Sequence, residues 1–331
     1  MPDRCVALDR PPGSMVVLRH PPVAGNRPVA LTIGNFDGVH VGHRAMIERV
    51  IAQAQRRGVD SCVMTFEPHP REFFAPDQAP ARLTSMREKL ELLAAMGVDK
   101  VLVCRFDFDF ARIDAQQFVD RLVVSGLRAN YVLVGDDFRY GARRLGDFDA
   151  LREAGRKHGF EVERMDSVEV EGVRVSSTGV RERLASGDLA AAARLLGRAY
   201  CIGGRVVRGD RLGRELGFPT ANIALRRDPV PLQGIFAVEV TGLGEAPVAG
   251  AASLGVRPTV KSGAKPVLEV HLLDFAGDIY GRRLNVHFLE KLRDEQKYAD
   301  LDELTRAIRN DVDATRRLLR TRLASRSEND I

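Results

Sequence analysis

The segment Leu31 to His43, LTIGNFDGVHVGH, constrains the fold more than any other stretch, because it joins an apolar run, a glycine corner and two closely spaced histidines. Val29 to Ile33 reads as a buried parallel strand. Gly34 and Gly38 let the chain turn closely over a ligand, and the helix that follows offers free N–H groups to phosphate. His40 and His43, at i and i+3, project from one side of that helix start, and Gly42 leaves room between them. A single histidine in such a place is ordinarily a core or surface residue. The pair, set on a glycine turn ahead of a helix, points to two imidazoles donating to a polyphosphate.

The residues around this segment alternate between strand and helix patterns. Residues 1–28 read as a loose lead-in with one edge strand, Met15 to Arg19. Ile47, Val50, Ile51 and Ala54 form a helical stripe ending at Gly58, and the strand Cys62 to Phe66 stops at Glu67-Pro68-His69-Pro70, where the prolines force an extended loop. A helix around Met86 to Met96, a strand from Lys100 to Cys104, a helix capped by Asp114 and running to Leu127, and a strand from Tyr131 to Val134 follow. Helix Phe148 to His158 and strand Phe160 to Met165 complete a doubly wound, mostly parallel sheet, the kind that binds ligands at its carboxyl edge. Gly135 to Asp147 reads as a mobile surface loop or as a ligand loop rich in Gly, Arg and aromatics. In Val175 to Arg181, VSSTGVR, one of Ser176, Ser177 and Thr178 caps a helix, and a capped start with Arg181 one turn in also suits a triphosphate.

From about Arg198 the texture changes to short β-like runs: Arg205 to Arg208, Ile235 to Val240, Val248 to Leu254, Val267 to Leu273 and Leu284 to Phe288. Their close spacing predicts an antiparallel barrel, and a final amphipathic helix with Leu301, Leu304, Ile308 and Val312 on one face would cover one end of it. GRVVRGDRLGRELGFPTANI lacks GxxxxGK[ST], which excludes a P-loop, and its glycines read by default as barrel turns. Glu269 shares a strand face with Val267 and His271, opposite Leu268, Val270 and Leu272, and is solvent-facing unless something recruits it.

At 331 residues the chain is long enough for two domains of roughly 150 residues each. No apolar run approaches the ~20 residues of a membrane span, and the first residues show no export signal. Cys5, Cys62, Cys104 and Cys201 lie far apart with no CxxC, which suits buried thiols in a reducing cytoplasm. The net charge of +5 invites a nucleic-acid reading, but acidic residues are interspersed throughout and the arginines fall at helical spacing.

GNFDGVHVGH resembles the HxGH signature of the nucleotidylyltransferase superfamily, and its full length is similar to the FMN adenylyltransferase module of prokaryotic bifunctional FAD synthetases. The resemblance implies that His40 and His43 stabilise charge on ATP's α-phosphate while FMN's phosphate attacks. Gly34, Phe36, Asp37 and Gly42 would border the ATP, with Ser177, Thr178 and Arg181 on its β- and γ-phosphates. Phe66, Pro68 and His69 match the family's TFEPHP element. Asp137, Phe138, Gly141 and Gly146 match its flavin loop, VGxDFxFGxxRxG, in which Tyr140 replaces the usual Phe and Asp136 adds a charge. The later run resembles the riboflavin kinase module, which implies that Gly209, Gly213, Gly217 and Pro219 cover a second ATP, that Thr220 and Asn222 hold Mg²⁺ and phosphate, and that Glu269 is the base. SLGVRPTV with Arg257, and LRDEQKY with Arg293 and Glu295, resemble flavin-side segments.

The implied protein is an α/β chain whose lead-in (1–28) precedes an adenylyltransferase domain (29–187) and a β-barrel kinase domain (188–331). It would take riboflavin, FMN and ATP as substrates, with neither nucleic acid nor membrane as partner, as a cytoplasmic monomer or weak homo-oligomer. A flavin- or nucleotide-binding regulator without turnover, or a basic nucleic-acid binder, is the competing reading. Intact HVGH, SST, Arg181, PTAN and Glu269 argue against it.

Overall fold

The computed structural model describes residues 14–22, 27–209, 213, 216–225, 227, 229–257 and 265–329. Chain contacts divide it into two compact units, one of Met1–Pro80 with Met86–Arg174 and one of Ala81–Ser85 with Val175–Ile331.

The first unit is built on a six-stranded, all-parallel sheet of strands β1 (Val16–Leu18), β2 (Val29–Ile33), β3 (Asp60–Glu67), β4 (Lys100–Arg105), β5 (Ala129–Gly135) and β6 (Glu161–Met165), in the order β1-β4-β3-β2-β5-β6. Every residue of β2 is buried, as a central strand covered on both faces requires. Helix α1 (Val41–Arg57) follows it, burying Ile47, Val50 and Ala54 and ending at Gly58. There φ is +64°, a left-handed cap that glycine adopts without a Cβ penalty. The loop after β3 opens with a cis Glu67–Pro68 bond and leads into α2 (Pro70–Phe74) and α3 (Met86–Ala95).

Two short helices, α4 (Phe108–Ala111) and α5 (Ala115–Phe118), follow β4. Asp114 caps α5 as its position predicts, accepting from the Gln117 N–H at 2.7 Å, but from Val119 to Gly126 the helix widens to π geometry. After β5 come α6 (Phe148–His158) and a hairpin of β7 (Glu169–Val170) and β8 (Val173–Arg174) that periodicity did not indicate. Cys62 and Cys104 are buried free thiols, and burial pushes both up to about 12, where they are inert.

The second unit starts with α7 (Ser177–Ser186) and α8 (Leu189–Leu196). A closed barrel follows, of β9 (Tyr200–Val207), β10 (Thr220–Ile223), β11 (Gly234–Thr241), β12 (Val248–Arg257), β13 (Lys265–Leu272) and β14 (Arg283–Arg293), in the order β10-β13-β12-β11-β14-β9. Every pairing in it is antiparallel. Leu268, Val270 and Leu272 are buried while Glu269 and His271 alternate with them at half-burial, the pattern of a strand with one face in the core. The stretch TANI, absent from the β-like runs expected of this half, forms β10 because β9 and β13 pair with its backbone on both sides.

Helix α9 (Leu301–Asn329) closes the chain. Its packed stripe differs from the expected one at the start, since Leu301 is 56% exposed. Val312 and Thr315 are buried further along the helix, together with Asp311, whose carboxylate Arg293 neutralises.

Candidate active sites

At the end of β2 the chain turns through Gly34-Asn35-Phe36-Asp37-Gly38-Val39 with three left-handed residues, Phe36 (φ +48°), Gly38 (+81°) and Val39 (+42°). Such values in a bulky aromatic and a β-branched residue are strained, and strained corners persist where surrounding structure holds them. A Cβ on Gly34 would press on the Phe36 ring at 3.2 Å. Phe36 in turn sets its ring against His43, edge-on, with centroids 5.1 Å apart.

His40 is the N-cap of α1. Its Nδ1 accepts the backbone N–H of His43 at 3.2 Å, which points Nε2 away from the helix backbone. The His40 and His43 rings stack at 3.5 Å with 14° between planes. His43 titrates well below the ordinary histidine range, first because it is desolvated and then through its electrostatic interactions with His40 and Lys89. Its Nδ1 is buried with no hydrogen-bond partner among the described residues. Gly42 is needed by His40, since a Cβ there would meet that ring's Nδ1 at 3.3 Å.

The residues assigned to the flavin side follow β3 and β5. Phe66 contacts Phe110, Phe110 contacts Phe118, Phe118 contacts Tyr140, and Tyr140 stacks on Phe138 at 5.4 Å. A continuous aromatic row thus links the two segments. Tyr140 bridges Gly146 in backbone, and a side chain on Gly146 would run into its ring. Asp136 has a structural partner set: Ser167 Oγ donates to it at 2.8 Å and Arg174 lies at 3.3 Å, which together hold its carboxyl below the usual range. Asp137 is exposed. His69 caps α2, accepting the Arg71 N–H at 3.1 Å, while Glu72 accepts the His69 N–H.

In the second unit Ser176, rather than Ser177 or Thr178, caps α7, accepting the Gly179 N–H at 3.1 Å. Arg181 Nε donates to the Ala81 carbonyl at 2.6 Å. The barrel carries a cavity of about 260 Å³ on its outer face, lined by Gly213, Thr220, Glu269, Arg293 and Glu295 among others, with Leu304, Ile308 and Asp311 of α9 on its far wall. Asn222 lies directly across the ladder from Glu269, and Ser253 faces Glu269 from the other side. Gly209 packs against the Asn222 amide, where any Cβ would collide, and Gly217 needs its left-handed φ of +84°. His271 Nδ1 donates to the Pro219 carbonyl at 2.9 Å, fixing the start of β10.

Arg293 makes a bidentate pair with Asp311, Nε–Oδ1 at 2.9 Å and Nη2–Oδ2 at 2.7 Å. Glu295 accepts from Ser253 Oγ at 3.3 Å and occupies the space a side chain at Gly255 would take. Arg257 ends β12, and its side chain lies outside the described residues, as does the segment 258–264 that follows it.

Two family models match the chain in sequence, FAD synthetase over residues 23–179 and riboflavin kinase over residues 196–319. The bifunctional riboflavin kinase/FMN adenylyltransferase of Escherichia coli (strain K12) is 53% identical over 281 residues, covering 85% of this chain and 90% of that one. The chain belongs to the bifunctional riboflavin kinase/FMN adenylyltransferase family. The Pseudomonas fluorescens protein of the same name is 51% identical over 88% of this chain and 94% of its own. A crystal structure titled as a macrolide-efflux protein from Streptococcus pneumoniae superposes with a TM-score of 0.77 at 27% identity, over 91% of this chain and 98% of that one. Among the described residues no helix is long and apolar enough to cross a membrane.

Sequence reasoning did not single out Lys89, Asp311 or Tyr298. Lys89 is 6% exposed beneath the histidine corner, and Asp311 and Tyr298 line the barrel cavity, where the Tyr298 hydroxyl is buried without a partner among the described residues. Lys89 did leave a signal: it stands on the apolar stripe of α3, between Met86 and Leu93 at helical spacing.

Proposed function

We infer that the two activities of this family are divided between the two constellations, adenylyl transfer at the histidine corner and phosphoryl transfer at the barrel cavity. The chain phosphorylates riboflavin to FMN with ATP, and it adenylylates FMN to FAD with release of pyrophosphate. In domain terms the adenylyltransferase comprises 29–187 and the kinase 188–331. The FAD synthetase match, over residues 23–179, supports counting Ser177 and Thr178 with the adenylyltransferase.

The observation that carries the adenylyl-transfer assignment is the stacked imidazole pair at the start of a 17-residue helix. In the reaction a phosphate oxygen of FMN attacks the α-phosphorus of ATP and the bond from that phosphorus to the bridging oxygen breaks. Negative charge builds on the α-phosphate oxygens and the departing pyrophosphate. The His40 Nε2–H, an N–H of His43 and the first backbone amides of α1 are fixed dipoles that meet that charge without reorganisation. Gly34, Phe36, Asp37 and Gly42 shape the corner around ATP. Ser177, Thr178 and Arg181 serve its outer phosphates. Phe66, Pro68, His69, Asp137 and Phe138 are the flavin side, for which the aromatic row from Phe66 to Phe138 is the support.

At the barrel, Glu269 takes the proton of the ribityl 5′-hydroxyl as that oxygen attacks the γ-phosphorus and ADP leaves. Gly209, Gly213, Gly217 and Pro219 form the loop over ATP, and Arg257, Arg293 and Glu295 are the flavin side. The donor set here, a Thr220 hydroxyl and an Asn222 amide oxygen beside the Glu269 carboxylate, is hard and oxygen-only, which fits Mg²⁺ completed by phosphate and water. Bound there, Mg²⁺ would neutralise charge on the phosphates.

The test is to separate the products of riboflavin with Mg·ATP and of FMN with Mg·ATP by chromatography. FMN and FAD from the first and FAD from the second are expected. Absence of turnover with retention on DNA would favour the nucleic-acid binder.

A further inference from the structure

Lys89 projects from α3 into the underside of the histidine corner. Its Nζ donates to the Asn35 carbonyl at 2.6 Å and lies 3.4 Å from Thr65 Oγ1, and that hydroxyl donates to the same carbonyl at 3.1 Å. The peptide that starts the strained Phe36 conformation is therefore clamped by α3 and β3 together. A buried ammonium is costly and is kept where its hydrogen bonds and charge are used.

We propose that Lys89 is a positioning residue for adenylyl transfer: by tying down the Asn35–Phe36 peptide it holds the Phe36 ring against His43 and so fixes that imidazole on the reacting phosphate. The inference rests on the reading of His40 and His43 as the charge-stabilising donors. Three observations converge on it. Phe36 is 1% exposed and takes φ +48° directly after the anchored Asn35 carbonyl. Its ring meets His43 edge-on while His40 stacks on the same imidazole, so both neighbours restrict its rotation. The ammonium also acts electrostatically on His43, in the same sense as His40, favouring the neutral ring. His40 and Lys89 are the titratable groups acting on His43; the corner also buries Asp37, α3 also buries Glu88, and from β3 comes the uncharged Thr65.

The experiment compares full-length Lys89→Met, Thr65→Val and His43→Ala with the parent, measuring FAD formation from FMN across pH and FMN formation from riboflavin in the same preparations. For Lys89→Met the expected result is a fall of about 10–100-fold in kcat for FAD formation, the scale of a small misplacement of reacting groups. The acid limb of its pH profile should move up toward the ordinary histidine range, with FMN formation unchanged. FAD formation within twofold of the parent, or a loss with the acid limb in place, overturns the proposal. Should Lys89→Met fail to fold, Thr65→Val decides: a loss in kcat with the limb unmoved supports the clamp, and parental kinetics overturn it. Full activity in His43→Ala would instead remove the donor reading itself.

Discussion

Asn222 and Glu269, far apart in the chain, are direct cross-strand neighbours on β10 and β13. Residues so paired have Cβ atoms roughly 5 Å apart, close enough for an amide oxygen and a carboxylate to serve one phosphate group and the hydroxyl attacking it. The register places them there, since a slip of one residue would send Glu269 into the barrel core in place of Leu268 or Val270.

Glu269→Gln removes the proton acceptor while keeping shape. It is expected to lower FMN formation from riboflavin by about 10²–10⁴ and leave FAD formation from supplied FMN at the parent rate. Steady-state assays of the two half-reactions check it, and retained kinase turnover would remove Glu269 from its role.

His43→Ala is expected to lower FAD formation by about 10²–10³, the cost of losing one charge-stabilising donor, with the kinase reaction spared. Equal loss of both activities in a folded variant would argue for a structural role only.

The pH dependence of FAD formation follows from the depressed His43 titration. Between its folded value and about 6.5 the folded chain leaves His43 neutral while the unfolded chain protonates it. The unfolded state then binds more protons, so this contribution to stability is complete above the unfolded value and is lost as pH falls through that window. The acid limb of activity should lie below 6.5, and the Tm of the first unit should drop less steeply with acid in His43→Asn than in the parent. A limb at or above 6.5 contradicts a neutral His43.

Gly255 has room for no side chain because the Glu295 carboxylate fills that position. Gly255→Ala should displace Glu295 from Ser253 and raise the KM for riboflavin about tenfold, in line with the ~1–3 kcal/mol typical of overpacking, with adenylylation of FMN unaffected. Unchanged riboflavin kinetics would take Glu295 out of the flavin side.

Asp311→Ala leaves Arg293 uncompensated in a pair whose side chains are 9% and 22% exposed. Losing one partner of a buried pair costs about 3–5 kcal/mol, so the barrel unit's thermal transition should fall by several degrees. Arg293→Met combined with Asp311→Leu should recover most of that loss, though not riboflavin affinity.

The parts of the molecule that could be read in advance are those with a strong local period. β2, α1 with its Gly58 cap, α6 and the outward face of Glu269 all lie in segments whose alternation or helical stripe matches their burial. The parts that could not be read depend on partners distant in sequence. β10 carries too short a local pattern to stand out as a strand until β9 and β13 supply its ladder, and the Phe66-to-Phe138 row exists only because β3 and β5 present both ends of it. Lys89 stands out only as a charge on the apolar stripe of α3, and its partner, the Asn35 carbonyl, is distant in sequence. Leu301 fitted the apolar stripe of α9 but lies in its first turn, more than half exposed.

Mixing the two single-site variants tests the division of labour most directly. Supplied with riboflavin and Mg·ATP, His43→Ala alone should stop at FMN and Glu269→Gln alone should make almost nothing. The two together should make FAD, as FMN released by one chain is adenylylated by the other. A mixture that yields no FAD, or a single variant that converts riboflavin fully to FAD, would contradict the account.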